Sequence, residues 1–492
     1  MVENQHVYLI VFLAFLALML VVGILISRKV KSGEDFLMGG RRLSSFLLIG
    51  TTVATLVGTG SSMGAVQFAY SNGWAGALYG IGGAVGILAL LFLFGDVRKY
   101  HFMTYSEELS YYFGASKLIK GLTSILLYIA SIGWLGAHVL GGSLYLSWIT
   151  GLDPVTAKIC TAVGFAGFTI IGGYLSVVIT DTIQGFILFF GFILLTVLSL
   201  VKIGGYSTIS DNLPHDMVSF LGTQHMGWIP AISLIVVIAV GVLATPSYRQ
   251  RIYSSKDAST IRKGFIVSGI LFAIFSLFPS IAGMAARILN PDIETGYAFP
   301  YLATEVFPLW VGAIVLVSGL SATMSSGSSD FIAAVTILLR DVYQIFMGKP
   351  PKKENMIPYS RISLVLTIIL AFVLTLGSNN IIDYISNFIS TVMSGLFVAA
   401  VLGKFWPRAN WQGGLASIIS GSFISFIVLI NDSLLSFWGN PILPSLVGAF
   451  TFGIVVSLIT PENRVTKEEA LRRLDEERSV LEGGTSTSSK AL

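Results

Sequence analysis

The chain has 492 residues, of which 54% are hydrophobic and 11% are charged, and its formal net charge is +4. A soluble protein carries roughly 25% charged residues, so this composition excludes a soluble enzyme and a nucleic-acid-binding protein and predicts a protein embedded in the lipid bilayer. The single cysteine, Cys160, excludes a disulfide framework, an iron–sulfur cluster and a cysteine-based zinc site.

Thirteen apolar stretches are long enough to cross a bilayer as helices, which takes about 20 residues each. Because these runs lack the polar–apolar alternation of barrel strands, we predict an all-α polytopic membrane protein. The predicted spans are 7–27, 43–71, 74–95, 121–149, 154–174, 179–201, 228–246, 264–286, 308–339, 360–377, 381–403, 413–431 and 440–460.

The distribution of lysine and arginine predicts the orientation of these spans. With the N-terminus outside, all of the 30 basic residues except Lys158, Lys202 and Arg287 fall in segments on the inner face. Cytoplasmic segments of membrane proteins carry this excess. We therefore expect a multi-pass protein of the plasma (inner) membrane with an outer N-terminus and a cytoplasmic C-terminus.

Two predicted spans are interrupted by residues that weaken a helix. The stretch 51–70, TTVATLVGTGSSMGAVQFAY, has glycines and small hydroxyl residues at mid-span. The span that follows Trp228 has Gly241 in its middle and Thr245 and Pro246 at its inner end. Irregular backbone at membrane depth is tolerated only where protein encloses it or where it lines a cavity, so each break predicts a cavity in the protein.

The two interrupted spans begin successive blocks of five spans, and since five is odd, the blocks have opposite orientations in the membrane. Inverted repeats with interrupted helices are typical of transporters that bind their solute near the bilayer midplane. The predicted organisation is an extra helix with an inner loop (1–42), a first repeat (43–202), an outer loop (203–227), an inverted second repeat (228–403), two extra helices (404–460) and a cytoplasmic tail (461–492). Within the tail, 465–481 predicts a charged amphipathic helix, most simply interpreted as a solvated cap.

Two acids and a group of serines within the spans are candidates for holding an ion, since acids inside a membrane are costly. Asp181 lies in the fifth span of the first repeat, and Asp330 follows a run of serines in 308–339. At 3.6 residues per turn, one helix face carries Ala322, Ser325, Ser326 and Ser329, with Ser328 beside it. The alternative is that these serines donate to carbonyls of their own helix and permit close packing.

A second group of residues in and near the interrupted spans is a candidate lining for a solute cavity. The group consists of Gly58, Thr59, Ser61, Tyr79, Trp134, His138 and Asp330. His138 has the alternative of a structural bond to a neighbouring carbonyl, and the aromatic residues have the alternative of packing. For Asp330 three roles stay open: a counter-charge for a cationic solute, support for an ion, or a structural partner of Arg340 or another inner-side base.

Four blocks of the sequence resemble the sodium:solute symporter family, which includes carriers of glucose, proline, pantothenate, sialic acid and choline. The blocks are DFLMGGRRLS at 35–44, GGYLSVVITDTIQG at 172–185, PSYRQRIYSSKDA at 246–258 and SATMSSGSSDFIAAVTILLRDVY at 321–343. They span about 300 residues and keep the order of the family. The resemblance implies a LeuT-like fold with one extra helix before the repeats and two after them.

The resemblance also implies sodium as the coupling ion and assigns residues to it. The common sodium site would consist of the carbonyls of Ala54, Val57 and Ala322 and the hydroxyls of Ser325 and Ser326. Some family members have a second sodium site, whose residues here would be Asp181, Ser325, Ser328 and Ser329. We therefore expect a symporter that imports a small polar solute by alternating access with one or two sodium ions.

The sequence departs from some family members at the expected solute site. The span 121–149 carries no arginine, which disfavours a carboxylate bound as in the sialic acid carriers, and Asp330 replaces a commonly neutral residue. These departures favour an amine or a urea-like solute, while an amino acid or a sugar stays open. The remaining alternatives are a solute-gated channel, which would need a continuous polar pore, and a transporter-like sensor without coupled transport. An enzyme is not expected, because acids and histidines do not converge in the sequence.

Overall fold

The computed structural model of the chain describes residues 4–27, 33–348, 351, 355–378, 380–463 and 465–481. The regular structure in these ranges is helical, apart from one isolated parallel bridge between Leu43 and Ser255. The longer helices are Gln5–Ser27, Ser45–Leu56, Ala77–Phe94, Lys117–Thr150, Pro154–Ile203, Trp228–Ala244, Ala258–Phe275, Leu277–Leu289, Leu309–Ile337, Met356–Leu374, Ile381–Phe405, Trp411–Leu429, Ile442–Ile459 and Lys467–Leu481. Shorter helices include Tyr105–Tyr112, Ala65–Asn72 and Pro246–Ser254.

Each predicted span coincides with helix in the described ranges, and the all-α class is confirmed. The long helix Pro154–Ile203 accounts for two spans because it is interrupted at Gly173, whose φ of +66° favours glycine. Nine of the described helices are long and apolar enough to cross a membrane, or ten if Trp228–Ala244 and Pro246–Ser254 form one bent span. The number of thirteen crossings therefore stays a prediction.

The first predicted break is present. Helix Ser45–Leu56 ends at Val57, which has non-helical φ and ψ of −83° and 62°, and the chain resumes through a π-helical turn, Gly60–Gly64, into Ala65–Asn72. A Cβ on Gly58 would lie 2.5 Å from Ser326 Oγ, and one on Gly60 would lie 2.5 Å from the Tyr79 hydroxyl. The glycines thus allow other helices to approach the break closely. We call Ser45–Leu56 and Ala65–Asn72 together the broken helix.

The second predicted break is also present, and it corrects one expectation. Thr245 is extended, with φ and ψ of −77° and 127°, and Pro246 then starts the helix Pro246–Ser254 at a bend of 47°. The basic residues Arg249 and Arg251 belong to a predicted inner-face segment, for which solvent exposure would be ordinary. They lie on a helix, and both side chains are almost completely buried in the protein, because the proline-initiated helix packs against the body of the molecule.

The helix Leu309–Ile337, which we call the serine helix, packs along Pro154–Ile203 and Lys117–Thr150. The first half of the broken helix also packs against the serine helix and Pro154–Ile203. The serines at 325–329 are at most 2% exposed, so their hydroxyls must find partners inside the protein. This packing places the serine run beside the first break.

The tail helix, Lys467–Leu481, lies against the body of the molecule and is not a free cap. Its Ala470 and Leu474 are 1% exposed, and Glu477 pairs with Lys120 at 2.8 Å. Arg478 pairs with Glu107 of Tyr105–Tyr112 at 2.6 Å. Burial raises the pKa of Glu107, but the charge and hydrogen bond of Arg478, a backbone N–H and Lys120 outweigh it and hold this pKa below its usual range. The tail is therefore fastened by ion pairs and a small apolar contact.

Replacement of Arg478 by alanine should lower the melting temperature by a few degrees, because Glu107 would stay buried without its main partner. The folded-state pKa of Glu107 is lowered, so this stabilisation is present above the usual pKa and should disappear as pH falls through the lowered value. Thermal unfolding of the purified protein at neutral and acidic pH measures both effects. Arg472→Ala is the control, because Arg472 is 65% exposed and pairs with Glu469 and Glu476 of its own helix. Equal melting temperatures for the two variants would show that the pair of Arg478 with Glu107 does not stabilise the protein.

Candidate functional site

Two serine hydroxyls meet the carbonyls that the first break exposes. A helix end leaves its last carbonyls without backbone partners. Ser325 Oγ donates to the carbonyl of Ala54 at 2.8 Å and to that of Ala322 at 3.3 Å. Ser326 Oγ donates to the carbonyl of Thr55 at 3.0 Å and contacts that of Ala54 at 3.4 Å. The oxygens of the two helices therefore converge on one buried point.

This convergence fits a monovalent hard cation. Four residues of the predicted common sodium site, Ala54, Ala322, Ser325 and Ser326, are linked by direct contacts, and every contact atom is an oxygen. Val57, the fifth predicted residue, lies at the break and is fully buried. Carbonyls of an unwound segment and hydroxyls on a facing helix are the ligands that sodium-coupled transporters use. These residues could therefore hold a sodium ion.

A second polar group surrounds Asp181, about one helix turn further along the serine helix. Asp181 Oδ2 accepts hydrogen bonds from Ser329 at 2.9 Å and from Thr51 at 2.7 Å, and Oδ1 accepts one from Ser328 at 3.4 Å. Thr51 was not among the predicted residues, although it lies one turn before Ala54. The hydroxyl of Ser325, predicted for this site too, points to Ala54 and Ala322 instead.

Arg251, which was not among the predicted residues, also belongs to this group. Its Nη2 lies 3.6 Å from Asp181 Oδ2 and donates to Ser329 Oγ at 2.9 Å. The same nitrogen donates to Thr51 Oγ1 at 2.8 Å and to Thr55 Oγ1 at 2.5 Å. One signal in the sequence could have indicated its place: Arg251 follows Pro246 by five residues. Since the chain turns at the break before Pro246, the residues just after it can point back into the protein.

A third group of residues surrounds a small cavity beside the first break. Six of the predicted solute-lining residues border it: Gly58, Thr59, Tyr79, Trp134, His138 and Asp330. Ser61 does not border it, because its hydroxyl donates to the carbonyl of Leu56 at 2.8 Å within the break. Tyr248 and Phe272, which the sequence analysis missed, complete the aromatic wall. Phe272 lies in an apolar run and Tyr248 in the polar segment PSYRQR, and neither context gave a signal for this role.

Asp330 and His138 form a buried pair at one side of the cavity. His138 Nε2 lies 3.3 Å from Asp330 Oδ2, and both side chains are at most 6% exposed. The other ring nitrogen, Nδ1, lies 2.8 Å from Thr59 Oγ1, which in turn contacts Thr323 Oγ1 at 3.3 Å. His138 is thus joined to Thr59 at the first break and to Asp330 of the serine helix. These are side-chain contacts, whereas the predicted alternative was a bond to a neighbouring carbonyl.

The cavity adjoins the oxygens that surround Ser325 and Ser326 at the first break. Ser326 borders the cavity and also donates to the carbonyls of the break. Thr55 borders the cavity as well, and its carbonyl accepts a hydrogen bond from the Tyr248 hydroxyl at 3.3 Å. A ligand in the cavity and an ion at the break would therefore contact the same two places, the chain at Thr55 and the serine helix at Ser326.

Known proteins resemble this chain over most of its length. Residues 36–421 match the model of the sodium:solute symporter family. The sodium/pantothenate symporter of Haemophilus influenzae is 28% identical over 88% of this chain and 92% of its own length. High-affinity choline transporter 1 of Caenorhabditis elegans is 26% identical over 84% of this chain and 76% of its own length. A solved structure of a Na⁺-coupled sialic acid symporter, substrate-bound and outward-open, is 20% identical and covers 92% of this chain and 98% of its own, with a TM-score of 0.80. That likeness confirms the LeuT-like fold class.

Replacement of Ser325 by alanine should raise the sodium concentration that half-maximally stabilises the purified protein by about tenfold or more, because a buried cation loses one of its oxygens. Thermal unfolding across a sodium series, with choline-free buffers and constant ionic strength, measures this midpoint. Ser321→Ala is the matched control, since Ser321 lies one turn away on the same helix and its hydroxyl donates to the carbonyl of Val317 of that helix. An unchanged sodium midpoint in Ser325→Ala would remove this residue from the ion site.

Proposed function

Since the chain belongs to the sodium:solute symporter family, and is therefore a sodium-coupled membrane transporter rather than an enzyme, we propose that it imports a small organic amine or urea-like solute. Sodium binds at the first break between Ala54, Val57, Ala322, Ser325 and Ser326. The solute binds in the neighbouring cavity beside the first break. Alternating access exposes both sites first to one side of the membrane and then to the other.

The observation that carries this proposal is that Ser326 belongs to both the cavity and the ion group. Binding of an ion fixes the broken helix and the hydroxyl of Ser326, and so prepares the wall that the solute contacts. By linkage, the solute then raises the affinity for sodium by the same factor. Each sodium that moves inward down a potential of 100 mV releases about 2.3 kcal/mol, which drives the solute with it.

The chemistry of the cavity supports an amine or a urea-like solute. Among the described residues that line it, Asp330 is the one carboxylate, and neither lysine nor arginine is present. Its walls include four aromatic rings, those of Tyr79, Trp134, Tyr248 and Phe272. Aromatic faces attract cations, and a carboxylate accepts hydrogen bonds from N–H donors. A carboxylate-bearing solute would find no cationic partner there.

The two relatives do not decide the solute. Pantothenate, in the name of the Haemophilus influenzae symporter, bears a carboxylate, whereas choline, in the name of the Caenorhabditis elegans transporter, is a quaternary ammonium. The carboxylate of Asp330 in the cavity supports the second type of solute. His138 and hydroxyl side chains of the lining such as Thr59 and Ser326 can serve either kind of solute, because each can donate or accept a hydrogen bond.

Uptake into proteoliposomes should distinguish these solutes. With an inward sodium gradient, radiolabelled choline, short polyamines and urea are each compared with pantothenate, and a potassium gradient is the control. We expect accumulation of at least one amine or urea above its equilibrium level, and this accumulation should require sodium. Accumulation of pantothenate alone would overturn the proposed solute class. Equilibration without accumulation would instead favour a channel.

Replacement of Asp330 by asparagine should weaken binding of the accepted amine by about tenfold or more at saturating sodium, while the sodium midpoint changes little. The reason is that the amide removes the negative charge of the cavity but leaves the oxygens at the break in place. Solute-induced and sodium-induced shifts of the melting temperature measure the two affinities separately. Asp432→Asn, at an exposed position, is the control. If the ligand-free protein also melts much lower, the pair with His138 has a structural role instead.

A further inference from the structure

The guanidinium of Arg251 lies inside the group of oxygens that the family resemblance assigns to a second sodium ion. It contacts Asp181 and Ser329, two of the four residues predicted for that ion. It also donates hydrogen bonds to the hydroxyl and the carbonyl of Thr51, at 2.8 and 3.1 Å. Two of the four residues that would replace the hydration shell of a sodium ion are therefore in contact with a cation that belongs to the chain.

The burial of this group makes a second positive charge beside Asp181 unfavourable. The side chain of Arg251 is 1% exposed, and that of Asp181 is completely buried. A buried carboxylate needs a positive partner, and here the guanidinium supplies it. A sodium ion added at the same carboxylate would place two positive charges beside one negative charge, with little water to screen their repulsion. The residues present thus fit the second sodium poorly while Arg251 stays in place.

We propose that Arg251 is a tethered cation that replaces the second sodium ion, so that one sodium ion, at the first break, binds to each molecule. This inference rests on the proposed function for its role in transport, but the binding stoichiometry can be measured without transport. Arg251 reaches the group from Pro246–Ser254, the segment that follows the second break. It joins this segment to Thr51 and Thr55 on the broken helix and to Ser329 on the serine helix.

The same contacts explain why Arg251 holds the group better than lysine would. A planar guanidinium presents several N–H donors in fixed directions, whereas an ammonium is a compact point charge. Here Nη1 donates to the carbonyl of Ser247 at 2.9 Å while Nη2 contacts the group around Asp181. The carbonyl of Ser247 thus fixes the orientation of the guanidinium within its own helix. The positive charge is therefore held in place and does not depend on the sodium concentration.

Binding of ²²Na⁺ to the purified protein, without any solute, tests this inference. We expect one sodium ion per molecule for the unaltered chain and for Asp181→Asn, because Asp181 does not hold sodium while Arg251 neutralises it. In Arg251→Gln the carboxylate loses its partner, so a second sodium ion should bind, and the double variant Arg251→Gln with Asp181→Asn should bind one again. Ser321→Ala serves as the control for substitutions in the neighbouring helix. Two ions in the unaltered chain, reduced to one by Asp181→Asn, would overturn the inference.

The test does not depend on a stable Arg251→Gln variant, because the unaltered chain and Asp181→Asn already decide the stoichiometry. The ratio of sodium to solute, measured from the reversal potential in proteoliposomes, gives an independent value, which we expect to be one. If the chain binds one sodium ion but does not accumulate any solute, the proposed function fails while the inference on Arg251 stands. If it accumulates solute with a ratio of two, the inference fails while the proposed function stands.

Discussion

The structure depends on the free backbone carbonyls at the first break. Inside a membrane protein an unpaired carbonyl is costly, because lipid offers it no hydrogen bond. At Ala54 and Thr55 the hydroxyls of Ser325 and Ser326 satisfy this requirement. The same oxygens can instead surround a cation. In the proposed sodium site, the atoms that satisfy the interrupted helix are therefore also the atoms that would coordinate the coupling ion, where the serine helix crosses the break.

The buried charges follow from the second break in a similar way. A single short helix, Pro246–Ser254, carries both Arg249 and Arg251 into the interior. Arg249 pairs with Glu108 at 2.9 Å, and its guanidinium lies 3.6 Å from the centre of the Phe94 ring. Arg251 lies beside Asp181. Because breaking a buried pair leaves an uncompensated charge, these two pairs constrain how the helix after the second break can move relative to Tyr105–Tyr112 and Pro154–Ile203.

The proposed solute cavity is in contact with both breaks. Glycines at the first break allow close approach of Tyr79 and Ser326, so the cavity is narrow and has aromatic walls. Trp134 donates from its indole N–H to Thr245 Oγ1 at 2.9 Å, which ties the wall of the cavity to the second break. A change of conformation at either break therefore alters the cavity, and this is the physical basis on which an ion and a solute can be coupled over a short distance.

The sequence by itself determined the properties that depend on local composition and spacing. Hydropathy gave the helical class, glycine and proline gave both breaks, and the spacing of Ser325, Ser326 and Ser329 gave the polar face of the serine helix. Three features were decided only by the tertiary structure: the insertion of Arg251 beside Asp181, the pair of His138 with Asp330, and the docking of the tail through Arg478. Each joins residues from distant parts of the chain. The sequence shows the charge of these residues, but their partners depend on how the helices pack after each break, and local spacing carries no information about that packing.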